Sequence, residues 1–159
     1  MSYKLKTSDD GSVQVRNLAT GNTALAFNAE GGFAKKIAAA YTISHEENGS
    51  VFFLNSTTAF VTTLPAPFEG AHYTFIVLQV PASAAHTVVT ASSANIIKGL
   101  QNSVAGDAGD SGTADDTISF VTAQTVAGDK CEVWSDGTSW FAYAISKVAA
   151  GITFTQAST

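Results

Sequence analysis

HYTFIVLQV, residues His72 to Val80, is the longest apolar run in the chain, and its reading decides the fold. An unbroken run of this length, rich in β-branched and aromatic residues, reads as a central strand buried on both faces. Glu69-Gly70 turns the chain before it, and Pro81-Ala82-Ser83-Ala84-Ala85 forms a loop after it. His86 to Ala91 (HTVVTA) then reads as the return strand of a hairpin.

Strand signals continue in both directions. Upstream, Tyr41 to Ser44, Ser50 to Asn55 and Ala59 to Leu64 are short strands, the last stopped by Pro65 and Pro67, which cannot donate to a ladder. His45-Glu46-Glu47-Asn48-Gly49 ends in Asn-Gly, a hairpin signal because both residues tolerate positive φ. Phe33 to Ala40 (FAKKIAAA) fits a short helix or a strand entry with a polar bulge at Lys35 and Lys36. Ser12 to Val15 and Ala24 to Phe27 are two further strands around the turn cluster Ala19-Thr20-Gly21-Asn22. Downstream, Asn95 to Gly99, Thr117 to Ala123, Lys130 to Trp134, Trp140 to Ile145 and Gly151 to Thr155 complete the set, with a turn at Gly128-Asp129 and a hairpin turn at Asp136-Gly137-Thr138.

About ten strands at spacings of roughly 8–12 residues predict an all-β fold, an antiparallel β-sandwich or jelly-roll-like domain with an extended N-terminal arm. The expected boundaries are 1–30 for the arm or edge hairpin and 31–159 for the sandwich. A chain of 159 residues is long enough to bury a core without staples.

Composition narrows the function. Charged residues make up 13% of the chain, about half the usual share, and small polar residues take up the difference. Such a surface suits a chain packed against neighbours in an assembly, and equally an extracellular-type β domain. The net charge is −5 and the eight Lys and Arg are scattered, so neither nucleic acid nor an anionic membrane surface is expected as a partner. The N-terminus has no apolar signal region, and no stretch is long and apolar enough for a membrane-spanning helix. Synthesis and folding in a cytoplasm are expected, and the Asn48-Gly49-Ser50 and Asn55-Ser56-Thr57 glycosylation patterns are then chance.

The chemistry-bearing residues are few. Cys131, the one cysteine, sits in a strand pattern as a small hydrophobe. Only His45, His72 and His86 offer acid–base chemistry near neutrality. His45 lies beside Glu46 and Glu47, but three consecutive residues cannot all face one metal ion. His72 and His86 flank the expected hairpin as cross-strand partners. Asp107, Asp110, Asp115 and Asp116 punctuate the glycine-rich stretch 106–116; interleaved carboxylates can wrap calcium, but the spacing is not that of an EF-hand, and a flexible acidic loop is the plainer reading. Trp134, Trp140, Phe141 and Tyr143 crowd one hairpin. Alternation puts Trp140 and Ala142 on one face and Phe141 and Tyr143 on the other. One face is core; an exposed Trp on the other serves a subunit contact or stacks a sugar. No nucleophile elbow, phosphate loop or zinc motif is present, so no enzyme, cofactor, metal or catalytic residue is expected.

Several stretches resemble a module of tailed-bacteriophage virion proteins: Tyr41-Thr42-Ile43-Ser44-His45-Glu46-Glu47-Asn48-Gly49, Val51-Phe52-Phe53-Leu54-Asn55, Leu64-Pro65-Ala66-Pro67 and Gly70-Ala71-His72-Tyr73-Thr74-Phe75-Ile76-Val77. Gly128-Asp129-Lys130, Ser135-Asp136-Gly137-Thr138-Ser139-Trp140-Phe141-Ala142-Tyr143 and Ile152-Thr153-Phe154 resemble its closing strands. The likeness covers residues 41–155. Small proteins of this kind resemble capsid decoration (cement) proteins. The resemblance implies a homotrimer on the outer capsid surface, with the major capsid protein as partner, stabilising the head. Related modules occur in head and tail fibres, so a receptor-binding module for host glycans is the alternative. The family supplies no catalytic residues.

Overall fold

The computed structural model describes residues 3–7, 13–17, 23–27, 34–103 and 114–156. The chain divides into two compact units, Met1–Phe33 and Ala34–Thr159.

The first unit contains β1 (Tyr3–Thr7), β2 (Val13–Asn17) and β3 (Thr23–Phe27), joined in chain order into a three-stranded antiparallel sheet. The strand over Tyr3–Thr7 is one the sequence pattern did not signal. Leu5, Val15 and Leu25 share one cross-strand row, and Thr7, Val13 and Phe27 share another on the same face. Lys6, Gln14 and Ala26 occupy a row of the opposite face.

Among the described residues, the second unit holds eleven strands: β4 (Ala34–Ile37), β5 (Tyr41–Thr42), β6 (Val51–Asn55), β7 (Val61–Thr63), β8 (Glu69–Gln79), β9 (His86–Val89), β10 (Ile97–Ser103), β11 (Thr117–Phe120), β12 (Lys130–Asp136), β13 (Trp140–Ser146) and β14 (Ile152–Thr155). They form a six-stranded sheet, β10-β13-β12-β8-β6-β4, and a five-stranded sheet, β14-β11-β9-β7-β5. The fold is all-β, as expected, but both sheets are mixed rather than antiparallel. β4, β6 and β8 run parallel in the larger sheet, and β5, β7 and β9 run parallel in the smaller one. From β4 to β12 the chain therefore alternates between the sheets as it winds. Parallel neighbours need a crossover rather than a tight turn, and here a strand of the opposite sheet supplies it.

This winding decides one open expectation and overturns two others. FAKKIAAA contributes the strand β4, the second of its two readings. Asn48-Gly49 does not close a hairpin, because β5 and β6 belong to different sheets; Gly49 N–H instead donates to the His72 carbonyl at 2.8 Å. His86 to Val89 does not return beside β8. It lies in the smaller sheet, parallel to β7 and antiparallel to β11, so His72 and His86 are not cross-strand partners.

β8 is internal to its sheet, but it is not buried on both faces. Ala71, Tyr73, Phe75 and Val77 are buried, while His72, Thr74 and Ile76 between them keep partial exposure. The inward residues of both sheets meet in one core: Phe52, Phe75 and Val133 from the larger sheet, Val88, Ile118 and Phe120 from the smaller. Fully burying a side chain of this size is worth about 1.5–3 kcal/mol, so this shared layer is the main force joining the sheets. The turn at Asp136-Gly137-Thr138 joins β12 to β13 as expected, with Gly137 at φ +94°, a conformation open to glycine.

Candidate functional site

Alternation along β12 and β13 decides which side chains reach solvent. Cys131, Val133 and Ser135 point inward from β12, and Trp140, Ala142, Ala144 and Ser146 from β13. The residues between them form the outer face of the six-stranded sheet. Trp140 is thus fully buried core, whereas Trp134 and Phe141 are exposed.

Register orders this face into rows. His72, Trp134, Phe141 and Lys98 are successive cross-strand partners on β8, β12, β13 and β10. The His72 and Trp134 rings stack at 5.0 Å and 7°, and the Lys98 ammonium lies 5.1 Å from the Phe141 ring centroid, within cation–π range. The next row runs Val51, Thr74, Glu132, Tyr143, Leu100, and the one after it Phe53, Ile76, Lys130, Ile145, Asn102. Lys130 Nζ and Glu132 Oε1 pair at 2.9 Å on the same strand.

Five of the six exposed large hydrophobic residues among the described residues lie here: Leu78, Leu100, Trp134, Phe141 and Ile145, between 38% and 54% exposed. Isolated surface hydrophobes are ordinary, but their concentration on one face makes it the candidate contact surface. Only Val61, on β7, lies elsewhere.

One end of the face is pinned by Asp136. Its carboxylate accepts from the Ser139 N–H at 2.7 Å, the Thr138 N–H at 2.8 Å and the Thr138 hydroxyl at 2.8 Å. These bonds to the charged form, led by Ser139, hold its pKa down to about 2. A register shift between Trp134 and Asp136 re-aims the strand end.

The remaining candidates are structural in their surroundings. His45 is exposed and packs on Phe68 with ring centroids 4.8 Å apart. Its neighbour Glu47 is engaged by Lys35, the Tyr41 hydroxyl and the Ser44 N–H. His86 is buried against Phe60, and its Nε2–H donates to the Ser56 carbonyl at 2.8 Å; burial pushes its pKa down. Cys131 is fully buried and its thiol pKa is pushed up by desolvation, an environment that suppresses the nucleophilic thiolate. Of the acidic stretch, Asp107 and Asp110 lie outside the described residues, while Asp115 and Asp116 are buried. Among the described residues, no group of three or more His, Cys, Asp or Glu is placed to hold a metal ion, and no helix is long and apolar enough to cross a membrane.

Sequence reading passed over Asp129 as a turn residue. It is buried, and its carboxylate accepts from Thr125 Oγ1, Val126 N–H and Lys147 N–H at 2.9–3.0 Å. It ties the loop before β12 to the loop after β13, and so fixes the two strands that carry the aromatic row. The Lys147 contact spans 18 positions, which no local pattern signals.

No family model, curated protein or solved structure matches the chain.

Proposed function

We propose that the chain is a bacteriophage head decoration protein, binding the outer surface of the major capsid lattice through its N-terminal unit. The observation that carries this reading is the three-stranded sheet of Met1–Phe33, a unit separate from the main β domain. Its register aligns Leu5, Val15 and Leu25 in one cross-strand row and Thr7, Val13 and Phe27 in another. A three-stranded sheet buries little area by itself, and packing on a larger surface adds to it. A capsid surface supplies one. The low share of charged residues over the whole chain supports an interface of this kind. The mechanism is linkage: a protein that binds only the assembled shell stabilises it in proportion to its occupancy.

Co-sedimentation with purified heads tests the reading. The full chain pellets with heads; Leu25→Asp abolishes pelleting while the circular dichroism of the main domain is unchanged. A chain that pellets with no capsid lattice sinks the proposal.

The exposed Trp134–Phe141 pair favours a second reading, a fibre or receptor-binding module that stacks host glycans. A glycan array distinguishes it, with binding lost in Trp134→Ala.

A further inference from the structure

We propose that Asn48-Gly49 is a deamidation site that the native fold holds closed, and that its conversion records chains in which the contact between this turn and β8 has opened.

The sequence supplies the reactivity. No other asparagine of the chain precedes a glycine, and a glycine leaves its own amide nitrogen least shielded. That nitrogen, once deprotonated, attacks Asn48 Cγ. The new N–C bond closes a succinimide ring, the Cγ–Nδ2 bond breaks, and ammonia leaves carrying the proton. Water then opens the ring at either carbonyl and gives an aspartyl or an isoaspartyl residue. The fold keeps the hazard in place, because Gly49 sits at φ +83°, where an L side chain is strained.

A clip to β8 offsets that hazard. Asn48 follows the short 3-10 turn His45–Glu47. Its Oδ1 accepts from the His72 N–H at 2.7 Å, and its Nδ2 donates to the Gly70 carbonyl at 3.4 Å. The Gly49 N–H, the group that must lose its proton, donates to the His72 carbonyl at 2.8 Å. Asn48 ψ is 135°, which turns the Gly49 nitrogen away from Cβ, whereas ring closure needs the two eclipsed. Attack therefore requires the side chain, the backbone and the Gly49 N–H to be released together. The products remake the clip poorly. An aspartate puts an oxygen where the Nδ2 donor faced the Gly70 carbonyl, and adds a carboxylate beside Glu46 and Glu47. An isoaspartyl residue inserts a further carbon into the main chain ahead of β6. A chain that opens long enough to react is thus marked irreversibly.

None of this depends on capsid binding. Peptide mapping by mass spectrometry tests it on the full chain, held in mildly alkaline buffer with and without denaturant. In denaturant Asn48 converts ahead of every other asparagine. In the native protein it converts at least tenfold more slowly, because reaction waits on local opening. His72→Pro removes the N–H that holds Asn48 Oδ1 and speeds native conversion. His72→Ala removes the ring, keeps that N–H and leaves the rate unchanged. Both variants are checked by circular dichroism. If His72→Pro fails to fold, amide hydrogen exchange of the parent gives the reading: the Gly49 and His72 N–H groups are protected, and exchange at the rate of an open turn overturns the clip. Equal rates with and without denaturant, another asparagine reacting first in denaturant, a folded His72→Pro that reacts no faster than the parent, or His72→Ala reacting as fast as His72→Pro overturns the proposal.

Discussion

Gly99 on β10 and the Phe154 ring on β14 approach so closely that a Cβ on Gly99 would overlap the ring carbons. The two strands belong to opposite sheets, so this contact sets how tightly one side of the core closes. Gly99→Ala forces the ring aside, and overpacking of this kind costs about 1–3 kcal/mol. Urea denaturation measures the loss, and Phe154→Leu in the same chain recovers part of it. A Gly99→Ala protein as stable as the parent would show that the ring moves freely.

His86 makes stability pH-dependent. Its imidazole is buried, its Nε2–H is committed to the Ser56 carbonyl, and its pKa is pushed down by desolvation. The unfolded chain, with an ordinary His pKa of about 6.5, binds the proton more readily than the native state. Stability is therefore full above that pH and falls as pH drops through it toward the lowered native value. The fall is steeper in the parent than in His86→Gln, which starts less stable but titrates less in this range. Identical profiles between pH 7.5 and 5 would remove His86 from the account.

Asp129 takes three hydrogen bonds in a buried site. Asp129→Ala removes the acceptor of the buried Thr125 hydroxyl and of the partly buried Val126 and Lys147 hydrogen bonds, and each such bond contributes about 0.5–1.5 kcal/mol. Calorimetry of Asp129→Ala shows a lower melting temperature, and Asp129→Asn, which keeps an acceptor, falls between it and the parent. An unchanged melting temperature in the alanine variant is the contrary result.

Cys131 is sealed in the core, with its thiol held protonated by burial. A thiol reagent such as dithionitrobenzoate therefore labels it only as fast as the protein opens, and quickly in denaturant. Rapid labelling of the native protein would contradict the burial.

Much of the strand content is legible locally. In Lys130–Asp136 and Trp140–Ser146, alternation separates Val133 and Trp140, which are buried, from Trp134 and Phe141, which are exposed. The His72–Val80 run misleads because Ile76 and Leu78 are apolar yet face outward; composition hides the alternation that burial restores. The outer face is legible only in part. Its crowded aromatics show in the sequence, but Leu100 and Asn102 join it through β10, which pairs parallel with a strand some forty positions away.

The sequence by itself determined that this chain is all-β, that Trp140 and Ala142 share one face of β13 and Phe141 and Tyr143 the other, and where the Asp136–Thr138 turn falls. These follow from period-two alternation and turn chemistry, both of which act within a few residues. Only the tertiary structure decided which of those faces is core and which strand pairs with which. His86 leaves β8 for the other sheet, and β4, β6 and β8 align in parallel, because those pairings bury Phe52, Phe75 and Phe120 in one core. That gain is shared among segments far apart in the chain, so no single stretch records it.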